Sequence, residues 1–496
     1  MKMDENTDRI ENLRALTTDE ARIEVLERFP GGTFLSPQGD VLENMPPFTR
    51  VRLILTPSPR SYIVSEIWLP EPERWNGRYL GTGVGGFAGK LHYKRTGGYL
   101  KRGYACSNTD LGTSRGEHSG IGNRDEWADY GWRAAHLTAV YSKRAVPLFY
   151  GRPAIKNYYL GSSTAGQQAF SEAQRFPLDY DGIYAGVPAF NRVALHTFFL
   201  WNWLAMRAPD GGPLFREDEP RMIYDSAVAF FKENGDPVKN DYFVNIPWLG
   251  ADTVPRFIAY LREHCPSLSQ AQLDGLYRYY SGPVDPVSGK RIYCGVPIGC
   301  EITPGGIMRS CADVCQYFFI FIWAFGADYR PEYFNFGTDF EKINSTLGPE
   351  VNAMNADLSA FAARGGKMIG FSGTSDPTVP YPESLDYYDR AAGIAGGYEK
   401  LGEFFRYYML PGRTHNAGVG ADDMYDPDDE KRSVNALRAL ERWVEEGVVP
   451  DGLVAVSKPR PEVPGKYPFE RMIYPYGVSD RCLFNRNNRP TGCEYV

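Results

Sequence analysis

Residues 155–175 read Ile155-Lys-Asn-Tyr-Tyr-Leu160, Gly161-Ser162-Ser163-Thr164-Ala165-Gly166, then Gln167-Gln-Ala-Phe-Ser-Glu-Ala-Gln-Arg175. The first block has the apolar and aromatic content of a strand, and the third has the pattern of the helix that follows it. Between them lie six small residues, the composition that a tight strand-to-helix turn needs if it is to push a serine into the open. Ser163 is the candidate nucleophile, and the backbone N–H of Thr164 is placed to meet an oxyanion. Ala165 stands where the Gly-x-Ser-x-Gly pattern has its second glycine. On the six residues alone, a small-residue turn capping a helix reads the pattern equally well.

Two downstream segments supply the partners that such a serine requires. Gly366-Lys-Met-Ile-Gly-Phe371 reads as a buried strand and runs into Ser372-Gly373-Thr374-Ser375-Asp376-Pro377. Phe405-Arg-Tyr-Tyr-Met-Leu410 reads as another, followed by Pro411-Gly412-Arg413-Thr414-His415-Asn416. The order is Ser, Asp, His, which is that of the α/β-hydrolase triad. The chain has six histidines, so one directly after the last such strand is informative. His415 is the expected general base and Asp376 the acid that orients it. Gly83-Val-Gly-Gly-Phe-Ala-Gly89 follows a predicted strand and offers a second oxyanion donor, Gly85 or Gly86, with Gly86 preferred; a plain tight turn is the alternative. Val51–Thr56 and Ser61–Leu69 predict an antiparallel hairpin at the start of the sheet.

The expected architecture is an α/β-hydrolase fold with an inserted aromatic-rich lid: residues 1–190 and 356–496 form the catalytic domain, and 191–355 the lid. That inserted stretch holds Phe198, Phe199, Trp201 and Trp203, then Tyr277, Tyr279 and Tyr280, then Tyr317, Phe318, Phe319, Phe321, Trp323 and Phe325. Aromatic rows on helices are mainly core, with some left to face a cleft and hold a planar ring.

Composition excludes several classes. The chain has 496 residues, 43% hydrophobic and 23% charged, as in ordinary globular proteins. A net charge of -7 without a basic stretch argues against nucleic-acid partners. No apolar run approaches the roughly 20 residues that span a bilayer. The charged start, Met1-Lys-Met-Asp-Glu-Asn, lacks a signal-peptide core, which predicts a cytoplasmic protein. Oligomeric state is not encoded in any of these features. Of eight cysteines, Cys294 with Cys300 and Cys311 with Cys315 read as packing residues rather than zinc ligands, since no Cys-x2-Cys unit is present.

Several blocks together resemble the tannase and feruloyl esterase family. They are Tyr158–Gln168, continuing through Glu172-Ala-Gln-Arg-Phe-Pro-Leu-Asp-Tyr-Asp-Gly182 to Ala185-Gly-Val-Pro188; Trp75-Asn-Gly-Arg-Tyr-Leu80 with Gly83–Gly89; Gly103-Tyr-Ala-Cys-Ser-Asn-Thr-Asp110; Arg133-Ala-Ala-His136; and Asp386-Tyr-Tyr388. The resemblance implies a serine esterase that cleaves an aromatic or phenolic carboxylic ester, feruloyl- or galloyl-like, through an acyl-enzyme. Its partner is then a small-molecule aromatic ester. The same triad also serves an acyltransferase or a carbon–carbon bond hydrolase working on a polyketide-like intermediate.

The chemistry requires no cofactor. The resemblance also implies a structural Ca2+ in the lid, held by Glu233, Asp236 and Asn240 side chains and the Val238 and Tyr242 carbonyls; a solvated, metal-free turn reads the same residues. Family members place a disulfide between the residue before the nucleophile and the residue after the catalytic histidine. Here these are Ser162 and Asn416. Cys482 and Cys493 are similar to the family's tail pair, although Val463 stands at an upstream cysteine position.

Overall fold

The computed structural model describes residues 5–238, 240–312, 319–416, 418–433, 435–459 and 466–484, with side chains from residue 8 onward. It divides into two compact units. The first comprises 1–191, 319–329 and 346–367, and the second 192–318, 330–345 and 368–496. The sequence-based division, with 191–355 as a lid, follows the chain order of the triad strands. The units follow packing instead, and the inserted helices fall together with the strands beyond residue 367.

The first unit carries nine strands: β1 (Ala21–Phe29), β2 (Gly32–Leu35), β3 (Val41–Met45), β4 (Phe48–Leu55), β5 (Ile63–Pro70), β6 (Arg78–Thr82), β7 (Ala105–Thr109), β8 (Lys156–Ser162) and β9 (Gly182–Gly186). Seven of them line up as β1-β4-β5-β7-β6-β8-β9. The order begins antiparallel, with β4 against β5 in the register Phe48 opposite Pro70 and Leu55 opposite Ile63, which is the expected hairpin. It turns parallel from β7 through β6 and β8 to β9. Every residue of β5, β7 and β9 is buried, the signature of a sheet covered on both faces. Helix Ala134–Tyr150 packs on β5, β6 and β7, and helix Thr164–Arg175 on β8 and β9. The edge strand β1 instead carries Arg22, Glu24, Glu27 and Arg28, charges that discourage pairing with another chain.

In the second unit β10 (Lys367–Gly373) and β11 (Phe405–Leu410) are parallel, with Met368 opposite Phe405 and Gly373 opposite Leu410. A small antiparallel sheet follows, β12 (Asp423–Tyr425), β13 (Leu453–Ser457) and β14 (Phe469–Ile473). Helices Arg192–Ala205, Glu219–Asn234, Thr253–His264 and Gln270–Ser281 precede them. Ser269 and Gln272 close a capping box at the start of the last of these, each side chain taking a backbone amide that the helix leaves unpaired. The aromatic rows serve mainly as core: Phe198, Trp203, Tyr279, Tyr280, Phe319, Phe321 and Trp323 are buried. Tyr277 is exposed, and Phe199, Trp201 and Phe325 are partly so. Tyr317 and Phe318 lie outside the described residues.

Candidate active site

Ser163 stands between β8 and its helix with φ 64° and ψ -122°, a backbone conformation that an L-residue adopts only under strain. The strain is held by hydrogen bonds on both sides. Ser163 N–H donates to the Gly186 carbonyl over 3.0 Å, and the Ser163 carbonyl accepts from Gln167 N–H at 3.0 Å and Ala189 N–H at 3.2 Å. The helix begins at Thr164, three residues earlier than its sequence pattern predicts, because Thr164, Ala165 and Gly166 form its first turn. Small residues are required by contact. A Cβ on Gly161 would overlap the Ala165 carbonyl, and one on Gly166 would lie 2.7 Å from the Gly186 carbonyl and 2.8 Å from Pro188 Cα. Ala165, which departs from the glycine pattern, is itself completely buried.

Gly86 belongs to the same unit. It adopts φ 63°, and its carbonyl accepts from Thr164 Oγ1 at 2.8 Å, so the two predicted oxyanion donors lie on neighbouring, hydrogen-bonded loops. Gly83, at the base of that loop, faces Tyr159 Oη, Gln168 Oε1 and Ala165 so closely that no side chain fits. Tyr159 and Gln168 are bonded to each other over 2.7 Å.

Asp376 and His415 are brought together in the second unit. His415 Nδ1 lies 2.9 Å from Asp376 Oδ2. The Asp376 carboxylate is completely buried, and its other oxygen accepts from Thr378 N–H at 2.8 Å and Val379 N–H at 3.0 Å. The loops after β10 and β11 are laced to each other: Gly412 N–H donates to Thr374 Oγ1 over 2.8 Å, and Ser375 N–H to the Arg413 carbonyl over 3.0 Å. A Cβ at Gly373 would collide with that same Arg413 carbonyl. Ser162 is half-buried at the end of β8, and Asn416 is exposed beyond His415.

Several of the atoms expected to hold calcium accept hydrogen bonds from the protein itself. Asp236 is buried, and its oxygens accept from Val238 N–H (3.0 Å), Asn245 N–H (2.8 Å) and Asn245 Nδ2 (3.1 Å). The Val238 carbonyl accepts from Asp241 N–H and the Tyr242 carbonyl from Tyr224 Oη, while Glu233 and Asn240 are exposed. A guanidinium also reaches this loop: Arg471 donates to Asp241 over 2.8 Å and to Asn245 over 3.0 Å. Lys239, within the stretch, lies outside the described residues.

Cys106, Cys265, Cys300 and Cys311 are buried free thiols, Cys294 is buried as well, and burial pushes the Cys300 thiol well above the usual range. Cys482 is a partly buried free thiol; Cys315, Cys493 and Val463 lie outside the described residues.

A charged cluster behind the nucleophile helix has no counterpart among the expected site residues. Asp179 accepts from Lys143 Nζ at 2.6 Å and lies 2.6 Å from His136 Nδ1, with buried Glu172 alongside. Burial and the neighbouring Asp179 charge hold the Glu172 carboxyl well above its ordinary range. Burial alone would raise Asp179 as well, but the hydrogen bonds from His136 and Lys143 outweigh it and hold that carboxyl low. Lys143 and His136 of helix Ala134–Tyr150 thus hold Asp179, and Asp179 in turn lies beside Glu172 of the nucleophile helix. His136, Glu172 and Asp179 are the one His/Cys/Asp/Glu group among the described residues with donor atoms within 4.8 Å of one another.

A mixed sheet flanked by helices with a strained serine elbow after β8 and, in the second unit, an aspartate after β10 and a histidine after β11 are the features of an α/β-hydrolase fold. The family model for tannase and feruloyl esterase matches residues 51–310 and 334–477. An uncharacterized esterase of Xanthomonas campestris pv. campestris is 31% identical over 489 residues, covering 90% of this chain and 84% of the relative. A probable feruloyl esterase B-2 of Aspergillus flavus is 30% identical over 472 residues, covering 88% and 86%. The crystal structure of feruloyl esterase B from Aspergillus oryzae superposes with a TM-score of 0.82 at 23% identity, covering 98% of this chain and 99% of that one. The chain belongs to the tannase and feruloyl esterase family, and it is a carboxylic ester hydrolase. Among the described residues no helix is long and apolar enough to cross a membrane.

Proposed function

We propose that the chain is a serine esterase acting on an aromatic or phenolic carboxylic ester through an acyl-enzyme. Ser163 Oγ attacks the ester carbonyl while His415 Nε2 takes its proton; Asp376 holds Nδ1–H and stabilises the imidazolium that forms. The N–H groups of Thr164 and Gly86 receive the negative charge that develops on the carbonyl oxygen. Collapse of the tetrahedral adduct returns the proton to the leaving alcohol and leaves the acyl group on Ser163. Water, deprotonated by His415, then releases the acid.

The observation that carries this reading is the strained Ser163 backbone at the strand-to-helix elbow. It is supported by the buried Asp376 carboxylate, whose Oδ2 is aimed at His415 Nδ1. The aromatic acyl group is supported by the names of the relatives and by Phe87. This half-buried ring follows Gly86 and is backed by Phe319 at 4.7 Å and Trp323 at 6.1 Å.

The test is hydrolysis of methyl ferulate, methyl gallate and an aryl acetate by the wild type and Ser163→Ala. At least one aromatic ester should be cleaved, with a loss of at least ~1000-fold in the variant. Wild-type turnover in Ser163→Ala, or fluorophosphonate labelling at another serine, would end the reading.

A further inference from the structure

The Gly86 carbonyl is gripped from two sides. Thr164 Oγ1 donates to it over 2.8 Å, and Tyr130 Oη over 3.1 Å. A carbonyl oxygen has two lone pairs, so two hydroxyl donors saturate it and fix the plane of the Gly86–Phe87 peptide. This matters because Gly86 has φ 63°, with open space where a Cβ would stand, so no side chain of its own holds it. In a trans peptide the C=O and the following N–H point in opposite directions. A carbonyl turned toward Thr164 therefore turns the Phe87 N–H away from the elbow, and the loop's remaining candidate donors are the Gly85 N–H and the preferred Gly86 N–H. Among the described residues the Gly86 amide has no backbone acceptor.

Tyr130 reaches the carbonyl through a local irregularity. Arg124–Ala128 and Ala134–Tyr150 are α-helical, and Asp129–Arg133 between them is a π-turn. Such a turn worsens hydrogen-bond geometry and persists where something else requires it, commonly at a functional site. Its surroundings leave little freedom. Gly131 lies so close to the Glu350 carbonyl that a Cβ would overlap it, and Gln167 Nε2 of the nucleophile helix donates to the Val351 carbonyl over 2.7 Å. The Tyr130 ring is completely buried against Phe319 at 5.3 Å and Trp323 at 5.7 Å, the residues that also back Phe87. One side chain thus touches the aromatic wall with its ring and the oxyanion loop with its hydroxyl.

We propose that Tyr130 is a positioning residue for ester cleavage: its hydroxyl, together with that of Thr164, holds Gly86 so that the loop amide meets the oxyanion as charge develops. This rests on the esterase reading above. Tyr130 touches no reacting atom, so its contribution belongs to the transition state and not to ground-state binding.

Tyr130→Phe keeps the ring and its packing and removes one hydrogen bond. The expected result is a fall in kcat of about tenfold, below the ~100–1000-fold of deleting an oxyanion donor outright, with KM unchanged. Affinity for an aryl boronic acid, which forms a tetrahedral adduct on the nucleophile, should fall by the same factor, while inhibition by the free aromatic acid stays constant. Thr164→Val, which removes the other hydroxyl and keeps the backbone N–H, should resemble Tyr130→Phe. Rates are taken per active site titrated with a fluorophosphonate, so partial unfolding does not imitate the effect. Wild-type kcat in Tyr130→Phe, or a loss confined to KM with unchanged boronate affinity, would overturn the proposal. If the wild type cleaves no ester, or Ser163→Ala keeps its turnover, the esterase reading itself fails. If the wild type is active and depends on Ser163 while Tyr130→Phe equals it, only the positioning role is lost.

Discussion

Replacing Asp376 by Asn changes one atom, and the hydrogen bonds around that atom determine the effect. Two backbone amides, from Thr378 and Val379, donate to Oδ1 at 2.8 and 3.0 Å, and His415 Nδ1 lies 2.9 Å from Oδ2 of this completely buried carboxylate. An asparagine with its NH2 toward the two amides would set donors against donors and leave both unpaired. At about 1–3 kcal/mol for each buried donor left unmet, that orientation costs roughly 2–6 kcal/mol. The opposite orientation keeps both amide bonds and turns the NH2 toward His415. Nδ1 must then accept, so the imidazole proton moves to Nε2, where a lone pair is needed to take the proton of Ser163. Asp376→Asn should therefore fold normally and bind substrate with KM near the wild-type value, yet lose about 10^4-fold in kcat, close to 5 kcal/mol of barrier. Steady-state hydrolysis of an aromatic methyl ester, with rates per titrated active site, reads this directly. A loss smaller than about tenfold, or one carried by KM, would refute the reasoning, because the tautomer would then not be under the control of Asp376.

Other parts of the molecule give three further expected outcomes. Ser162→Cys with Asn416→Cys should form a disulfide under oxidising conditions and make activity sensitive to dithiothreitol, with neither single variant doing so; two free thiols in a folded double variant would argue against the proposed Ser163–His415 partnership. Because Arg471 occupies the acidic loop at Asp241 and Asn245, millimolar EDTA should leave Tm and turnover unchanged, and a fall in Tm restored by Ca2+ would refute the metal-free reading of that loop. Burial raises the Asp110 carboxyl from 3.8 to about 6, so the unfolded chain gives up this proton first as pH rises. The stability that the protonated carboxyl contributes is complete below pH 3.8 and lost by about pH 6, roughly 3 kcal/mol in all. Asp110→Asn should remove this slope, and denaturant unfolding of both proteins from about pH 4 to pH 7 would expose the error as a constant difference.

The sequence made the triad-bearing strands readable because each is a short apolar run that stops at small residues. β11 begins and ends where the pattern from Phe405 to Leu410 does, and β8 and β10 differ from their predicted bounds by a residue or two. The start of the nucleophile helix was not readable. Thr164 and Gly166 are poor helix formers, and the elbow from which the helix starts is held by bonds of Ser163 with Gly186, at the end of β9, and with Ala189 beyond it. Tyr130 had no sequence signal at all: its hydroxyl reaches Gly86 from a π-turn that packs against Glu350 and Val351, some 220 residues downstream. The acidic loop was open to two readings for a related reason, since a carboxylate in sequence does not reveal whether an arginine such as Arg471 of β14 will reach it.

The Ser163 backbone also decides which variants of this chain are reachable by descent. At φ 64° a side chain branched at Cβ crowds the backbone on both flanks, so threonine, the other hydroxyl nucleophile, is disfavoured by shape whatever its chemistry. Cysteine carries a single γ atom, as serine does, and passes the same steric filter. Lineages built on this elbow can thus exchange oxygen for sulfur in a single substitution, while the Ser-to-Thr exchange, tolerated at many positions elsewhere, carries a steric cost here.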